Sequence, residues 1–306
     1  MAAPQSDVNL NLKLGGARSK DAVDRWQRAN ALEFTPNAED LEFLRKAIHI
    51  EDVEELKAHV VQLRNRAIKV FPYPCIFKYS FAATRVTKIG GYKKTLQLAK
   101  ERGGALMLDI GCCFGADVRM AVLDGFPPTQ IVASDLHAEF WDLGHELFRD
   151  DKETMPVTFL AGDVFDPSFL SALPVGSSAS TTPLSELTSL TPLHGRLSSI
   201  HASLFFHLFT RVQQEQLAAH LASLLLQEKG SVLFGHQIAA EEEGLGQHVG
   251  KWSHNVQSWT ALWETALAGV GWKGGVGVQA KLTQGSEWVT KLGFGTHMLW
   301  WTVELL

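Results

Sequence analysis

The sequence predicts an α/β fold, with a mostly parallel seven-stranded sheet, an antiparallel hairpin at one edge and an N-terminal helical extension. From Ala105 onward, strand-like and helix-like segments alternate, which is typical of repeated βαβ units. The last two strand-like segments, 276–282 and 296–305, alternate in polarity, as an antiparallel pair does. Before residue 105, apolar residues recur at helical spacing instead.

Residues 1–104 are expected to form the helical extension. The first 15 or so residues are polar, and helical patterns follow over 19–31 and over a longer stretch, 36–70. The segment 71–77 contains Pro72 and Pro74, which predict an extended conformation and exclude a helix. This segment arrives just before the main domain, where it would cover a ligand site as a lid. A Lys-rich helix over 91–102 completes the extension.

Residues 105–306 are expected to form the main domain. Five strands are predicted at 105–110, 130–135, 157–161, 197–203 and 231–235. Four helices are predicted at 116–123, 138–148, 213–227 and 256–268. The segment 174–196 is rich in Ser, Thr and Pro, which predicts a surface insertion with one helical turn near Leu184.

Composition narrows the function classes. With 45% hydrophobic and 20% charged residues, the chain can bury a sizeable core, which excludes wholesale disorder. A net charge of -5, without a Lys/Arg block, argues against nucleic acid as a partner. No apolar run approaches a membrane span, and the start lacks the pattern of a signal sequence. Three cysteines are too few for a disulfide framework, so we expect a soluble, cytoplasmic protein.

The most informative motif follows the first predicted strand and reads Asp109-Ile-Gly111-Cys-Cys113-Phe-Gly115. Glycines in such a turn allow positive φ and close approach of the backbone to a ligand. A dinucleotide-binding fingerprint requires glycine at position 113, where this chain has cysteine, so an NAD-linked dehydrogenase is disfavoured. The spacing Asp-x-Gly-x-x-x-Gly instead resembles motif I of class I S-adenosylmethionine (SAM) methyltransferases, which implies their Rossmann-like fold.

Two further acidic residues follow the next two predicted strands. Asp135 ends the second strand, where a carboxylate can accept hydrogen bonds from the hydroxyls of a ribose. Asp163 follows the third strand, where the carboxylate of the resembled family receives the adenine amino group. A single acid at a strand end is commonly a cap or turn residue. Three acids in phase with three successive strands, Asp109 included, predict a SAM site.

Several phrases resemble one group of fungal small-molecule methyltransferases, including those of meroterpenoid pathways. They lie at 72–76 (PYPCI), 108–115 (LDIGCCFG), 145–150 (HELFRD) and 200–209 (IHASLFFHLF), with a weaker match at 253–255 (SHN). Members of this group methylate oxygen, often a carboxylate, on polyketide or terpenoid intermediates. The resemblance implies SAM as cofactor, with S-adenosylhomocysteine as product, and a hydrophobic small molecule as substrate.

The resemblance also implies which residues hold the cofactor. They stand at the ends of the first four predicted strands or in the turns after them: Asp109, Gly111, Cys112, Gly115, Asp135, Leu136, Gly162, Asp163, Val164, His201 and Ala202.

The acceptor is expected at the end of the fourth strand, which faces the SAM methyl group in the class I fold. A methyl on a sulfonium needs only a nucleophile held in line, so positioning can supply most of the rate. A carboxylate acceptor needs no base, whereas a phenol or alcohol would use a histidine. His207 and His254 are the catalytic candidates, and His201 is expected beside the cofactor. The substrate-binding candidates are Phe77, Phe205, Phe206, Trp252, Asn255 and Trp259.

The sequence thus predicts a SAM-dependent O-methyltransferase. Metal dependence is not expected, because the end of the fourth strand offers His and Ser in place of the carboxylates that Mg²⁺ prefers. Trp300 and Trp301 point to opposite faces of one strand, so at most one can line a given pocket. An N- or C-methyltransferase and a non-catalytic SAM-fold binding protein remain as alternatives, and the oligomeric state is left open.

Overall fold

The computed structural model describes residues 32–172, 180–245, 251–285 and 297–306, which contain one seven-stranded sheet. Its strands are β1 (Leu106–Ile110), β2 (Ile131–Asp135), β3 (Thr158–Ala161), β4 (Leu197–His201), β5 (Val232–Ala239), β8 (Val276–Gln284) and β9 (His297–Leu305). A separate ribbon pairs β6 (Gly244–Leu245) with β7 (Trp252–Ser253). The sheet order is β3-β2-β1-β4-β5-β9-β8, with β1 to β5 parallel and β9 antiparallel to both its neighbours. The predicted mostly parallel sheet with an antiparallel edge hairpin is confirmed.

The helices are α1 (Ala38–Ile48), α2 (Val53–Val70), α3 (Pro74–Phe77), α4 (Gly90–Glu101), α5 (Ala116–Leu123), α6 (Ala138–Phe148), α7 (Arg211–Leu224) and α8 (Val256–Gly269). Strands β1, β2 and β4 are almost entirely buried because helices cover both faces of the parallel sheet. Helices α5 and α6 begin and end where the sequence predicts them. The helix predicted over 19–31 lies outside the described residues.

Helices α1 and α2 pack on the main domain through a continuous apolar cluster. Leu44 and Leu56 from these helices share this cluster with Phe114, which follows β1, and with Phe140 and Leu147 of α6. Helix α4 is joined to the sheet instead, since the Gly91 N–H donates to Thr302 Oγ1 of β9 at 3.0 Å. The division of the chain at residue 104 therefore stays a prediction, because both α1–α2 and α4 make contacts with residues beyond it.

In the extension, the structure divides one predicted helical stretch and contradicts one prediction. The stretch 36–70 is two helices, since the first ends at Ile48 and His49 adopts a left-handed conformation with φ 59°. The prolines at 72 and 74 do not exclude a helix, because Pro74 occupies the first position of the short helix α3. Proline is tolerated there, since the N–H it lacks would have no partner within the helix.

The segment 174–196 departs from a simple surface insertion. Residues 173–179 are outside the described ranges, but Leu190 and Leu193 are fully buried in the core. The helical turn predicted near Leu184 is present as a 3-10 turn, Leu184–Glu186. Apolar residues spaced through a Ser/Thr/Pro-rich stretch thus cover the edge of the core.

The two adjacent tryptophans of β9 face opposite sides of the sheet, as predicted. Trp301 is buried against Trp259 and Trp263, whereas Trp300 stacks on His236 with the ring centroids 4.7 Å apart. Within the described ranges, none of the helices has the length and apolarity that crossing a membrane requires.

Candidate active site

The candidate site lies at the carboxyl ends of β1 and β4, where the order of the strands in the sheet reverses. Strand β1 pairs with β2 on one side and with β4 on the other, so the turns after β1 and β4 leave the same edge. Ligands of open α/β sheets bind at such a switch point, beyond the carboxyl ends of the strands. The turn after β1 carries the glycine motif and the turn after β4 carries residues 202–205.

Gly111 is required by both conformation and space. It has φ +73°, and a Cβ placed there would lie 2.6 Å from Cδ2 of Phe205. Its N–H donates to the Ser134 carbonyl at 2.8 Å, which holds the turn against β2. The turns after β1 and β4 therefore touch at this glycine, and a side chain would push them apart.

The remainder of the motif leads into α5. Cys113 is left-handed with φ 52°, an uncommon conformation for a residue with a Cβ. Gly115 has φ +69°, and a Cβ there would lie 2.5 Å from Trp141 and 2.7 Å from Arg119. Cys112 is buried, and its thiol contacts the Cys113 carbonyl at 3.8 Å. The positive φ values of Cys113 and Gly115 therefore set the shape of the turn, and the side chains of Trp141 and Arg119 pack closely behind it.

Asp135 connects the first two turns. Its Oδ2 accepts from the Cys113 N–H at 2.9 Å, and its Oδ1 accepts from the His137 N–H at 3.1 Å. Burial raises the pKa of this carboxyl above its usual value, although these backbone N–H groups act in the opposite direction. A carboxylate has about four lone-pair positions, so two stay available to a ligand.

The turn after β3 completes a row along the edge of the sheet. Asp163 is exposed, and its Oδ1 accepts from the Phe165 N–H at 2.9 Å. Val164 is buried beside it, and a Cβ placed at Gly162 would lie 2.4 Å from the Phe169 ring. Leu136, after β2, is 53% exposed. The order β3-β2-β1 thus brings the three strand-end acids side by side.

A buried ion pair supports the glycine motif from behind. The Arg119 guanidinium donates to both oxygens of Asp150 at 2.8 Å and to the Phe114 carbonyl at 2.8 Å. His145 lies 2.6 Å from the same carboxylate. Burial alone would raise the pKa of Asp150, but hydrogen bonds from His145 and Arg119 outweigh it and lower that pKa. The phrase at 145–150 therefore fixes the backbone of the glycine turn.

The proline-rich segment 71–77 lies against the start of α6. Phe71 stacks on His137 with centroids 5.4 Å apart, and Tyr73 lies 6.1 Å from the same ring. Burial, and next the charge of Asp135, raise the pKa of Tyr73 above its usual value. The same two causes raise the pKa of the Cys75 thiol to about 12. The segment therefore shields Asp135, and its action as a lid stays a prediction.

The ends of β1, β4 and β5 share a polar network. Asp109 Oδ1 lies 2.8 Å from His201 Nδ1, and His201 Nε2 lies 2.6 Å from Ser203 Oγ. Ser203 Oγ lies 2.9 Å from His236 Nδ1 and accepts from the His236 backbone N–H at 3.3 Å. Asp109, His201 and His236 are buried, whereas Ser203 is half-buried. Asp109 and His201, predicted as cofactor ligands, thus lie behind Ser203. Ala202, also predicted as a cofactor ligand, is buried in the apolar core.

Asp117, in the first turn of α5, joins this network to the extension. Its carboxylate lies 3.9 Å from His201 Nε2 and accepts from Thr84 Oγ1 at 2.6 Å. It also accepts from the backbone N–H groups of Arg85 and Val86 at 3.1 and 3.2 Å. The N-terminal part of the chain is therefore fastened directly beside the crevice.

The two histidines predicted as catalytic stand after β4 and just before α8. His207 is half-buried in a 3-10 turn, Phe206–Leu208, four residues after Ser203. His254 is buried, with Nδ1 2.9 Å from Ser258 Oγ in the first turn of α8. Burial lowers the pKa of His254 to about 4, so this ring is neutral at physiological pH.

The predicted substrate-binding residues separate into three groups. Phe205 and Trp252 are half-buried, Phe205 against Gly111 and Trp252 beneath the guanidinium of Arg211. Phe206 and Trp259 are fully buried with centroids 5.0 Å apart and expose no surface to an acceptor. Phe77 is also buried, in α3, and Asn255 caps α8 by accepting from the Ser258 N–H at 2.8 Å.

Comparisons with known proteins place the chain. The family described as "Meroterpenoid methyltransferase N-terminal domain" matches residues 29–82. The O-methyltransferase phiE of Fungal sp. (strain ATCC 74256) is 32% identical over 277 residues, covering 89% of this chain and 84% of that protein. The methyltransferase ausD of Aspergillus calidoustus is 33% identical over 215 residues, covering 69% and 70%. The chain belongs to the fungal secondary-metabolite methyltransferases.

As a member of this family, the chain is a SAM-dependent methyltransferase. A further relative is the Asnovolin E/Chermesin D methyltransferase nvfJ of Aspergillus novofumigatus (strain IBT 16806), 31% identical over 250 residues that cover 80% of this chain and 81% of that protein. Among solved structures, phosphoethanolamine N-methyltransferase 2 of Haemonchus contortus in complex with SAM is similar, with 14% identity and a TM-score of 0.44. That similarity covers 71% of this chain and 53% of the other.

The residues of this methyltransferase fit the cofactor. Asp135 is a shielded carboxylate whose charge is incompletely compensated, and the two hydroxyls of the SAM ribose would supply donors to its open positions. Gly111 contributes no side chain to the turn, and the Phe205 ring lies where a Cβ would project. Among the described residues, no group of three or more His, Cys, Asp and Glu side chains is placed to hold a metal ion.

Several residues of the site were missed by sequence reasoning. Ser203 lies within the segment 200–209, which resembles the fungal methyltransferases, but the sequence alone does not predict a role for its hydroxyl. His236 and Asp117 carry no local signal, because a histidine within a strand and an acid in the first turn of a helix are common. Arg119 is likewise recognisable only once its contacts with the glycine turn are known.

Proposed function

We propose that this methyltransferase transfers the SAM methyl group to an oxygen atom of a hydrophobic metabolite, such as a terpenoid or polyketide, without a metal ion. The observation that carries the proposal is a group of half-buried aromatic rings beside Gly111. The rings of Phe205 and Phe209 are 5.1 Å apart, and those of Phe165 and Phe209 are 4.9 Å apart, both edge to face. Large apolar side chains with remaining exposed surface next to a cofactor turn favour an apolar ligand.

These rings come from different parts of the chain. Phe165 follows β3, Phe205 and Phe209 follow β4, and the Trp252 N–H of β7 donates to the Phe209 carbonyl at 3.4 Å. The aromatic surface therefore begins at the glycine turn and continues toward the β6–β7 ribbon. An acceptor bound along it would have one end at Gly111 and the remainder among the rings.

The cofactor is proposed to lie along the row of strand-end turns. Asp135 would hold the ribose, Asp163 the adenine amino group, and the backbone of Gly111 the amino acid part. Bound SAM supplies an electrophilic methyl group on its sulfonium. Because that group needs only a positioned nucleophile, the aromatic surface and the polar end of β4 are sufficient to supply the protein's part. Oxygen is favoured as the acceptor atom because phiE is named an O-methyltransferase. The similarity to phiE, at 32% identity, extends over 89% of this chain.

The proposal is tested by incubating the full chain with SAM carrying a deuterated methyl group and a pool of terpenoid and polyketide acids, phenols, amines and alcohols. A product heavier by one labelled methyl is expected among the oxygen nucleophiles. Alkaline hydrolysis then separates a methyl ester, which releases the label, from a methyl ether, which retains it. Label found on nitrogen or carbon would show that the alternative N- or C-methyltransferase is correct.

Two controls sharpen this test. At SAM concentrations near the wild-type Kd, Asp135→Ala should lower product formation at least about tenfold, while Asp142→Ala, at an exposed acid of α6, should not. SAM binding without transfer to any acceptor in the pool would favour the non-catalytic binding protein. Absence of SAM binding in a calorimetric titration would contradict the proposed site itself.

A further inference from the structure

The polar network behind Ser203 converges on its hydroxyl group. Asp109, His201 and His236 are buried and are linked to that hydroxyl by a chain of hydrogen bonds of 2.6 to 2.9 Å, whereas Ser203 as a residue is half-buried. Burying a carboxylate and two imidazoles is costly unless they are fully hydrogen-bonded. The arrangement therefore serves the placement of the Ser203 hydroxyl at the end of β4.

The backbone after Ser203 is held in an uncommon conformation. Leu204 has φ 51°, in the left-handed region that a bulky side chain rarely adopts, and its N–H donates to the His236 carbonyl at 2.7 Å. Phe205 then lies against Gly111. Strained residues persist where the surrounding structure fixes them, frequently at functional sites. This turn places Ser203 between the buried network and the crevice.

The hydrogen bonds indicate the direction in which the Ser203 hydroxyl points. Burial alone would lower the pKa of His201, but the charge of Asp109 and its hydrogen bond outweigh burial and raise that pKa. A protonated His201 donates from Nε2 to Ser203 Oγ, and the His236 backbone N–H donates to the same oxygen. A hydroxyl oxygen has two lone pairs, so both are then occupied. The Ser203 hydroxyl can consequently act only as a donor.

The charges around the two histidines agree with this direction. His201 faces the carboxylates of Asp109 and Asp117, at 2.8 and 3.9 Å, which favour its imidazolium form. His236 is neutral, because burial lowers its pKa to about 3. The charges that act on His236, besides those of Asp117 and His201, are the cations Arg85 and Lys78 of the extension. Because Arg85 is already paired with Asp40 at 2.7 Å, the positive charge that directly contacts Ser203 is that of the His201 imidazolium.

We propose that the Ser203 hydroxyl contacts the acceptor and orients it by donating a hydrogen bond to its reacting carboxylate, with His201 as the positioning residue that fixes this direction. The inference rests on the proposed function and adds the residue that holds the acceptor. In the structure the Ser203 hydroxyl lies 2.9 Å from His236 Nδ1, which accepts its hydrogen when Nδ1 is unprotonated. A charge-assisted bond is about twice as strong as a neutral one, so a carboxylate takes that hydrogen over.

The transfer step balances without a base. One carboxylate oxygen forms a bond to the methyl carbon, and the bond between that carbon and sulfur breaks, with its electron pair left on sulfur. The products are a methyl ester and a neutral thioether, and no proton is released. Ser203 keeps its proton throughout. A general base at His201 would require the opposite arrangement, with its Nε2 accepting the Ser203 proton.

The first test measures the direction of the bond between His201 and Ser203. Imidazole resonances of the full chain, labelled with ¹⁵N-histidine and saturated with S-adenosylhomocysteine, are followed against pH. The pKa of His201 should exceed the ordinary 6.5 and should fall in Ser203→Ala, because the imidazolium loses an acceptor. The control Ser223→Ala, whose hydroxyl contacts His194 at 3.4 Å instead, should leave His201 unchanged. A His201 pKa that rises or stays constant in Ser203→Ala would overturn the proposal.

The second test uses benzoate as a carboxylate probe on the same saturated protein. Ser203→Ala should bind benzoate about 10- to 100-fold more weakly, the scale of losing one hydrogen bond to a charged group. Ser203→Thr, which keeps the hydroxyl, and Ser223→Ala should bind it within about threefold of wild type. Equal affinity in Ser203→Ala, or no benzoate binding by the wild type, refutes the assignment. All variants should retain SAM affinity, and a variant that loses it would refute the assignment of Ser203 to the acceptor. Absence of SAM binding by the wild type would instead indicate failure of the proposed function.

The third test is the sign of the pH dependence of single-turnover methyl transfer to the acceptor found in the metabolite pool. If His201 acts as a donor, the rate should decline as pH rises through its raised pKa, and His201→Asn should lack this alkaline decline. If His201 acts as a base, the rate should instead decline as pH falls. An acid-side decline that disappears in His201→Asn contradicts the proposed role.

Discussion

The cofactor assignment is tested most directly at Asp135. In the structure this carboxylate accepts from two backbone N–H groups, those of Cys113 and His137, and keeps two lone-pair positions for a ribose. Replacing it with alanine removes charge-assisted hydrogen bonds to both hydroxyls, at a cost of about 2 to 3 kcal/mol. Because about 1.4 kcal/mol changes an equilibrium tenfold, Asp135→Ala should weaken SAM binding about 30- to 150-fold.

Isothermal titration of SAM into the wild type, Asp135→Ala and the exposed-acid control Asp142→Ala measures this effect. The fold should survive, since Asp135 ends a strand and its side chain lies outside the apolar core. The affinity of the wild type should also decline as pH falls through the pKa of Asp135, since hydroxyl donors favour the charged carboxylate. Burial raises that pKa above 3.8, so the decline should begin at a higher pH than for an exposed aspartate. A folded Asp135→Ala protein with SAM affinity within about twofold of wild type would refute the reasoning.

Four further outcomes are expected. Gly111→Val should abolish SAM binding, because Gly111 has φ +73° and the Phe205 ring occupies the space of a side chain. The control Gly195→Val, at φ +66° with open space around it, should reduce only thermal stability. Equal SAM affinities of Gly111→Val and wild type would show that the turn does not contact the cofactor. Methyl transfer should persist in excess EDTA, and loss of turnover restored by Mg²⁺ would contradict metal independence. Asp150→Asn should lower the free energy of unfolding at pH 7 by about 3 kcal/mol or more, because it breaks a buried ion pair with Arg119. Because the pKa of Asp150 is lowered in the folded protein, its ionised form stabilises the fold above the unfolded-state pKa, and this stabilisation is lost as pH falls through the folded-state pKa. In acid titrations the difference in unfolding free energy between wild type and Asp150→Asn should therefore shrink below about pH 4. His207→Asn should cost about tenfold or less in single-turnover rate, and a loss of about 100-fold or more together with a vanished acid-side decline would indicate general-base catalysis there.

The glycine turn and the acids at the strand ends could be placed from the sequence because their signals are local. A buried strand followed by Gly111, and an acid at the end of each of the next two strands, follow from the geometry of one βαβ unit. Parallel pairing then brings Asp135 and Asp163 to the same edge without any further information. The left-handed φ of Gly111 and its closeness to Phe205 agree with the choice of glycine there.

The extension shows where local rules are insufficient. Two prolines within three residues favour an extended chain, yet Pro74 begins a helix because the first position of a helix needs no N–H donor. Likewise, the Ser/Thr/Pro-rich composition of 174–196 suggests a surface loop, whereas the sheet edge next to it buries Leu190 and Leu193.

The sequence by itself determined the α/β class, the order of its elements and the cofactor turn, because these depend on periodicity and on residues near one another in the chain. Only the tertiary structure shows what surrounds the residues on the acceptor side. His207 and His254 stay predictions as bases, and burial lowers the pKa of His254 to about 4. Ser203 contacts His236 directly and is linked to Asp109 through His201, although these two residues are 33 and 94 positions away in the chain. Their meeting depends on which strands become neighbours in the sheet, and that is settled by packing of the whole chain.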